Sequence, residues 1–482
     1  KAKTILVTGV GMAKGLVLAR LFHRSGHRVI GADFEPSGAL VCARVSKAVA
    51  KFHRLELGDD LKYVKQLLYI VRKEKVDLWV SCSGVATALE DAYAKEPMEE
   101  AGCAVVQFGI EETKVLHEKD SFIDYIKGLG LNVPETYHVG SIREVMDILY
   151  SPPLNEKYIL KSTGMNDKTR GDMTPLPLIY PSTTREYLTR TFNSSTTTPN
   201  TGSSSFVLQE YIFGHEYCTH ALILQSRVAA FLACPSASLL MHYQPLSPTH
   251  PLTQAMLAFT ETVAASFGPG FTGHLSFDFL VKNSDIAKQD WRSITLWPIE
   301  CNPRCHTAVS LFNSNTSVGS EMVKAYLSLL NKPDHVKEAK HPEAGAQTPN
   351  RSRNGSLHPN LLLNTPTPLA STPSPSPPQP LSPTHPPSTL FLPHDLLTLL
   401  LLPALRLLTA RTSRAEFRTT LRAFGIRIQE IRRGEWRDGV YEAWDPWPAW
   451  WLWHVYWPLR LWGAVREGRR WGALNLGTGK MF

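Results

Sequence analysis

Two segments, Trp297-Pro-Ile-Glu-Cys-Asn-Pro-Arg304 and Phe277-Asp-Phe279, decide how this chain is read. Both have the apolar texture of strands. Successive side chains of a strand point to opposite faces, so Glu300 and Asn302 share one face while Ile299 and Cys301 turn into apolar packing. By the same alternation Asp278 points away from Phe277 and Phe279. A carboxylate set between two Phe side chains is half-buried and needs a partner, which an exposed polar edge does not supply. Two carboxylates and an amide oxygen projecting from strands form a hard-oxygen cage. Mg²⁺ takes such ligands in octahedral geometry, with nucleotide phosphates and water completing its shell. Arg304, just beyond, would stabilise charge developing on a transferred phosphoryl group.

Upstream, short apolar runs alternate with helical patterns. Thr4 to Thr8, Arg28 to Asp33, Asp77 to Ser81 and Ala104 to Val106 read as strands, with helices over Ala13 to His23 and Asp60 to Lys73. This alternation predicts a parallel, doubly wound α/β domain over residues 1–115. Its first turn, Gly9-Val-Gly11-Met-Ala-Lys-Gly15, follows a strand and opens a helix, a context in which backbone N–H groups can hold a phosphate. Asp33 would suit a ribose hydroxyl. The third glycine comes one position late for a dinucleotide fingerprint, so packing of the first helix on the sheet explains the turn equally well.

From 116 to 330 the texture is α+β, with strand candidates at Tyr158 to Ser162, Phe206 to Ile212, His220 to Leu224, Val228 to Cys234, His274 to Val281 and Thr295 to Cys301. Residues 181–205 are rich in Ser and Thr and are expected to form a mobile insertion. Residues 331–390 are dense in Pro, Ser and Thr. They cannot bury enough apolar surface to offset ordering entropy, so a disordered linker is expected. Residues 391–482 form a helical region rich in Trp and Arg. Asp395, Pro403 and Arg406 interrupt its apolar start, leaving less than the ~20 residues a membrane span requires. Packing of the Trp rings onto the catalytic body is the favoured reading, with interfacial membrane contact as the alternative.

Bulk composition excludes little else. The net charge of +8 is concentrated toward the tail and comes without a nucleic-acid reader motif, so nucleic acid is not an expected partner. Seven cysteines without regular spacing read as reduced thiols of a cytoplasmic protein. No secretory leader precedes the strand at Lys3, and a start at Lys1 in place of Met leaves room for an upstream segment. Cys301, Cys305 and His306 invite a zinc reading, which fails because Cys301 should face the core and no second ligand pair follows.

Taken in order, these motifs resemble the ATP-grasp superfamily over roughly Lys3 to Leu330, the first domain matching the Rossmann-like unit that precedes the ATP-grasp fold. The resemblance implies that Lys119 and Lys161 touch the nucleotide phosphates. Lys168 and Arg170, in Ser162 to Asp172, would belong to the loop that closes over them. It implies that Glu210 and the backbone near Tyr211 and Ile212 meet the adenine, and that Glu216 meets the ribose. Asp278, Glu300 and Asn302 fall on the metal ligands and Arg304 on the phosphate-contacting arginine. The implied cofactors are ATP and two Mg²⁺ ions, with Mn²⁺ as a substitute. The implied reaction is phosphorylation of a small carboxylic or enol acid followed by coupling to an amine. Catalytic roles would fall to Arg304, Lys161 and Glu300. The tail, with Trp444-Asp-Pro-Trp-Pro448 and Leu474 to Lys480, is similar to the mycosporine-glycine synthase branch and its fungal relatives, which join an amino acid to a cyclic enol acid. A homodimer follows from analogy alone.

Two rivals stand beside this reading. An NAD(P)-dependent oxidoreductase built on the first turn would leave Glu300 and Asn302 without a purpose. A non-catalytic nucleotide-binding or membrane-associated scaffold would rest on the basic, Trp-rich tail.

Overall fold

The computed structural model describes residues 1–35, 38–56, 60–84, 87–151, 157–162, 173–194, 206–236, 242–313, 316–331, 379–468, 474–475 and 480–481. Residues 1–330 and 380–482 form one compact unit, and residues 331–379 are assigned to a second. All the elements below belong to the first.

Strand β1 (Thr4–Thr8) leads through the glycine turn into α1 (Ala13–Arg24), then β2 (Arg28–Phe34), β3 (Lys51–Leu55), α2 (Asp60–Glu74), β4 (Leu78–Val80), α3 (Ala88–Glu100) and β5 (Ala104–Val106). The sheet order is β3-β2-β1-β4-β5, every pair parallel. Alternation along β1 explains why both faces must be covered: Ile5 and Val7 pack in one apolar cluster with α1, while Leu6 packs in another with α2 and α3. Parallel strands buried on both faces read as near-continuous apolar runs. β3, Lys51-Phe-His-Arg-Leu55, breaks that pattern because it is an edge strand, and it escaped the sequence reading for that reason.

Next come α4 (Ile110–His117), α5 (Lys119–Gly128), β6 (Thr136–Val139), α6 (Ile142–Leu149), β7 (Tyr158–Ser162), α7 (Pro181–Ser194) and β8 (Phe206–Glu210). β6, β8 and β7 form a three-stranded antiparallel sheet in that order. Then β9 (Gly214–Leu224), β10 (Arg227–Pro235), α8 (Pro251–Ser266), β11 (Gly273–Lys282) and β12 (Trp297–Asn302) build a four-stranded antiparallel sheet, β10-β9-β11-β12. Helix α9 (Thr316–Leu327) follows.

Two expectations need correction. Within the insertion expected at 181–205, Pro181–Ser194 is the helix α7. Its Tyr187 and Leu188 are buried against the three-stranded sheet, and this apolar pair outweighs the weak propensity of the Ser and Thr residues around it. Residues 195–205 lie outside the described residues. The linker expected at 331–390 also ends earlier than composition suggested. Leu381 donates its N–H to the Ala229 carbonyl, and β13 (Ser388–Leu390) is buried and pairs with a tail strand. Residues 332–378 lie outside the described residues.

The tail comprises α10 (Leu392–Leu396), a π turn (Leu397–Leu401), α11 (Leu402–Leu408), α12 (Arg414–Arg432), β14 (Trp436–Asp438), α13 (Trp447–Trp451) and α14 (Trp457–Arg466). It is not a separate body. Val440, Ala449, Leu452, Tyr456 and Trp457 share one apolar cluster with α1 and β1. Arg20 of α1 donates to the Asp445 carboxylate at 3.0 Å and to the carbonyls of Val440 and Asp445, with Arg20 and Asp445 both buried. Not every ring packs: Trp447, Trp450 and Trp462 remain exposed. No helix among the described residues is long and apolar enough to cross a membrane.

Candidate active site

β11 and β12 run antiparallel with Asp278 directly opposite Glu300 and Ser276 opposite Asn302. Two carboxylates facing each other across a ladder repel. The register shifts by one residue after Asp278, and such a bulge re-aims side chains locally. Asn302 donates its amide to Asp278 Oδ2 at 3.1 Å. Burial, then repulsion from Glu300 and from Glu216 on β9, pushes the Asp278 carboxyl up to about 8. Such a carboxyl is poised to exchange its proton for a cation.

Cations surround this cluster. Lys119, the first residue of α5, places Nζ 3.3 Å from Glu300 Oε2. Lys161 extends from β7 and donates to Gln209 Oε1 at 2.6 Å. Burial, then repulsion from Lys119, lowers its ammonium to about 8, while Glu300 and Glu216 act the other way. Lys161 therefore feels groups from α5, β9 and β12 at once. Arg304 follows β12, with burial depressing its guanidinium against the pull of Glu300 and Asp278; its buried Nη1 has no hydrogen-bond partner. A buried guanidinium nitrogen without a partner is costly, and an anionic oxygen would satisfy it.

At the end of β8, Glu210 accepts from the Glu135 N–H at 3.2 Å and lies 4.0 Å from Lys282 Nζ. The Tyr211 N–H is committed to the Lys157 carbonyl at 2.7 Å, and Ile212 is buried. Glu216 is exposed and accepts from the Ser236 hydroxyl at 2.8 Å. Lys168 and Arg170 lie outside the described residues. The structure thus gathers Lys119, Lys161, Glu216, Asp278, Glu300, Asn302 and Arg304. Sequence reading missed Gln209, which orients Lys161. Gln209 opposes Ile159 and so shares a face with Lys161, a relation visible only once the register of β7 and β8 is known.

The first turn is occupied by its own protein groups. Gly11 N–H donates to Asp33 Oδ2 at 2.6 Å, and Asp33 also accepts from the Phe34 N–H. Gly9 sits at φ +70°, and a Cβ there would lie 2.4 Å from the Cys82 carbonyl oxygen; one at Gly15 would lie 2.2 Å from the Gly9 carbonyl oxygen. These glycines serve close packing, and the Asp33 carboxylate is already spent on backbone donors.

All seven cysteines are free and buried. Cys301 packs in an apolar cluster, apart from Cys305. Cys305 lies instead beside His220 and His274, their ligand atoms within 4.8 Å of one another. The His274 ring is held by the Tyr326 hydroxyl at 2.6 Å and by the Ser81 backbone.

No protein-family profile matches this sequence, and no curated protein matches it. Among solved structures, three bear a partial likeness. The biotin carboxylase domain dimer of Hydrogenobacter thermophilus 2-oxoglutarate carboxylase, in complex with MgADP, ADP and bicarbonate, is 10% identical over 70% of this chain and 71% of its own, with a TM-score of 0.46. N5-carboxyaminoimidazole ribonucleotide synthetase from Thermus thermophilus is 16% identical over 67% and 78%, at 0.47. An L-amino acid ligase from Bacillus licheniformis is 12% identical over 70% and 78%, at 0.47.

Proposed function

We propose that this chain is an ATP-grasp-like ligase that uses ATP to phosphorylate a small carboxylic or enol acid and couples the product to an amine. The single observation that carries this reading is the meeting of Asp278, Glu300 and Asn302 with Lys119, Lys161 and Arg304. An amino acid as the amine, and a place in secondary metabolism of the mycosporine type, rest on the tail resemblance. Cytoplasmic location and a homodimer accompany the reading by analogy.

The residues fit a divalent cation. Opposed carboxylates on β11 and β12, one of them held protonated by burial and repulsion, form an oxygen set whose mutual repulsion such an ion would relieve. Asp278, Glu300 and Asn302 would hold Mg²⁺, which would supply charge neutralisation to nucleotide phosphates there. Lys119 and Lys161 would neutralise the remaining phosphate charge, and Arg304 would offer its unpaired Nη1 to an equatorial phosphoryl oxygen. The adenine would lie near Ile212 and Glu210, and the ribose near Glu216.

In the first step an oxygen of the acid bonds to the γ-phosphorus, the bond to the β-phosphate oxygen breaks, and ADP leaves. In the second the amine nitrogen bonds to the activated carbon, its proton is lost, and phosphate departs with the C–O pair. No nucleophilic side chain is required, because positioning and charge neutralisation supply the catalysis.

The test is ADP and phosphate release against a panel of amino acids, with and without candidate carboxylic and enol acids. Release that needs both substrates and falls on the order of 10²–10³-fold in Asp278→Asn and Glu300→Gln supports the ligase. Release no different from those variants under every condition overturns it. No observation at the first turn favours the oxidoreductase.

A further inference from the structure

The tail divides into two physically different parts. Its later segment is built into the apolar core through Val440, Leu452, Tyr456 and Trp457. The earlier segment, from Leu392 to Arg432, buries almost nothing. Asp395 and Pro403 are its only buried residues; the π turn and the 19-residue α12 have none. Its apolar residues are nevertheless abundant and outward-facing. Leu401, Leu405 and Leu408 recur at i, i+4 and i+7 and are 52%, 56% and 84% exposed. Spacing of this kind places them in one stripe. Leu392, Leu396, Leu397 and Leu402 add to the exposed surface.

Charge accompanies that stripe. Arg414, Arg418 and Arg422 recur every fourth residue along α12, and they and Arg411 are all exposed. The acids nearby are committed elsewhere: Glu416 closes the α12 capping box, Glu430 pairs with Arg427, and Asp395 is buried against His242 and Arg427. Residues 391–482 hold 14 Lys and Arg against 8 Asp and Glu, which accounts for six of the chain's eight net positive charges.

We propose that this helical pair docks on the surface of an anionic lipid bilayer, with leucines at the headgroup–acyl boundary and arginines on lipid phosphates. An exposed leucine stripe and an exposed arginine row on adjoining helices together have the composition of an interfacial segment. A second copy of the chain is the poorer occupant, because it would bring the same arginine row against itself. The segment lies on the bilayer and does not cross it, since Pro403 and Arg406 interrupt the apolar run and no described helix is long and apolar enough to span.

Full-length protein is co-sedimented with vesicles of phosphatidylcholine alone or mixed with phosphatidylserine, at low and high salt. The expected result is binding to the anionic vesicles that high salt reverses. Arg414→Gln/Arg418→Gln/Arg422→Gln should weaken it on the order of 100-fold. Leu401→Ser/Leu405→Ser/Leu408→Ser should abolish it at any salt. Both variants are first matched to the parent by circular dichroism and melting. Should the leucine variant misfold, the arginine variant, altered only at exposed positions, decides alone. Absence of vesicle binding by the parent protein, or equal binding to neutral vesicles, overturns the proposal. So does a leucine variant that converts a dimer to a monomer in sedimentation velocity while vesicle binding is unchanged.

Discussion

Asp278 and Lys161 carry opposite consequences of one environment. Burial drives the carboxyl up and the ammonium down, each to about 8, so each is biased toward its neutral form. Lys161 must be protonated to hold phosphate, and that form is lost as pH rises through its lowered value. Repulsion from Lys119 contributes to the lowering. Lys119→Met should therefore move the alkaline limb of the ADP-release profile to higher pH, besides reducing the rate; an unmoved limb would show that the two lysines do not interact. At Gly9, φ of +70° and the Cys82 carbonyl at 2.4 Å from an added Cβ leave no room for a side chain. Gly9→Ala should cost about 2 kcal/mol or more, read by urea unfolding. At this scale the sequence was informative where one period applies, as with Asp278, Glu300 and Asn302. It was silent on Gln209 and on the engagement of Asp33 by Gly11, because both depend on which segments become neighbours.

Among the elements, strands buried on both faces were legible as apolar runs, whereas the edge strand β3 and the amphipathic α7 were not. Their patterns are mixed, and packing decides them. The helical pair Leu392–Arg432 is tied to the body at its base by Asp395, which accepts from His242 at 2.7 Å and lies 3.3 Å from Arg427 Nε. Burial alone would raise this carboxyl, yet the hydrogen bond from His242, with His394 Nδ1 3.5 Å away and Arg427 beside it, holds it down to about 2. The folded value lies below the unfolded one of 3.8, so its contribution is full above pH ~3.8 and fades as pH falls toward 2. Asp395→Asn should lower stability by about 3 kcal/mol at neutral pH. In acid titrations followed by circular dichroism the difference from the parent should shrink below pH ~4 and vanish near pH ~2. A constant difference across that range would contradict the assignment.

For the whole molecule, the decisive contact is Arg20 with Asp445. Asp445 also accepts from the Ser46 hydroxyl at 2.6 Å and the Lys47 N–H at 2.9 Å, so one buried carboxylate gathers three segments. Removing one partner of a buried, hydrogen-bonded ion pair strands the other charge and costs about 3–5 kcal/mol. Asp445→Ala should therefore lower the melting temperature of residues 1–330 and not merely free the tail. Calorimetry of the parent should show the two melting together in one transition; a separate tail transition would count against this. None of it was legible from composition, which marked the tail only as aromatic and basic and gave no sign of which helix it would complete.

That same pairing has a consequence for how the chain is made. Arg20 and Asp445 are 425 positions apart. At ~5–20 residues per second a ribosome takes on the order of 20–85 s to travel between them. Throughout that interval α1 has been synthesised with its guanidinium unmatched and the apolar surface around it uncovered. The α1 face of the first domain thus stays uncovered until nearly the last segment arrives, so the nascent protein should gain from a chaperone that shields that face during translation.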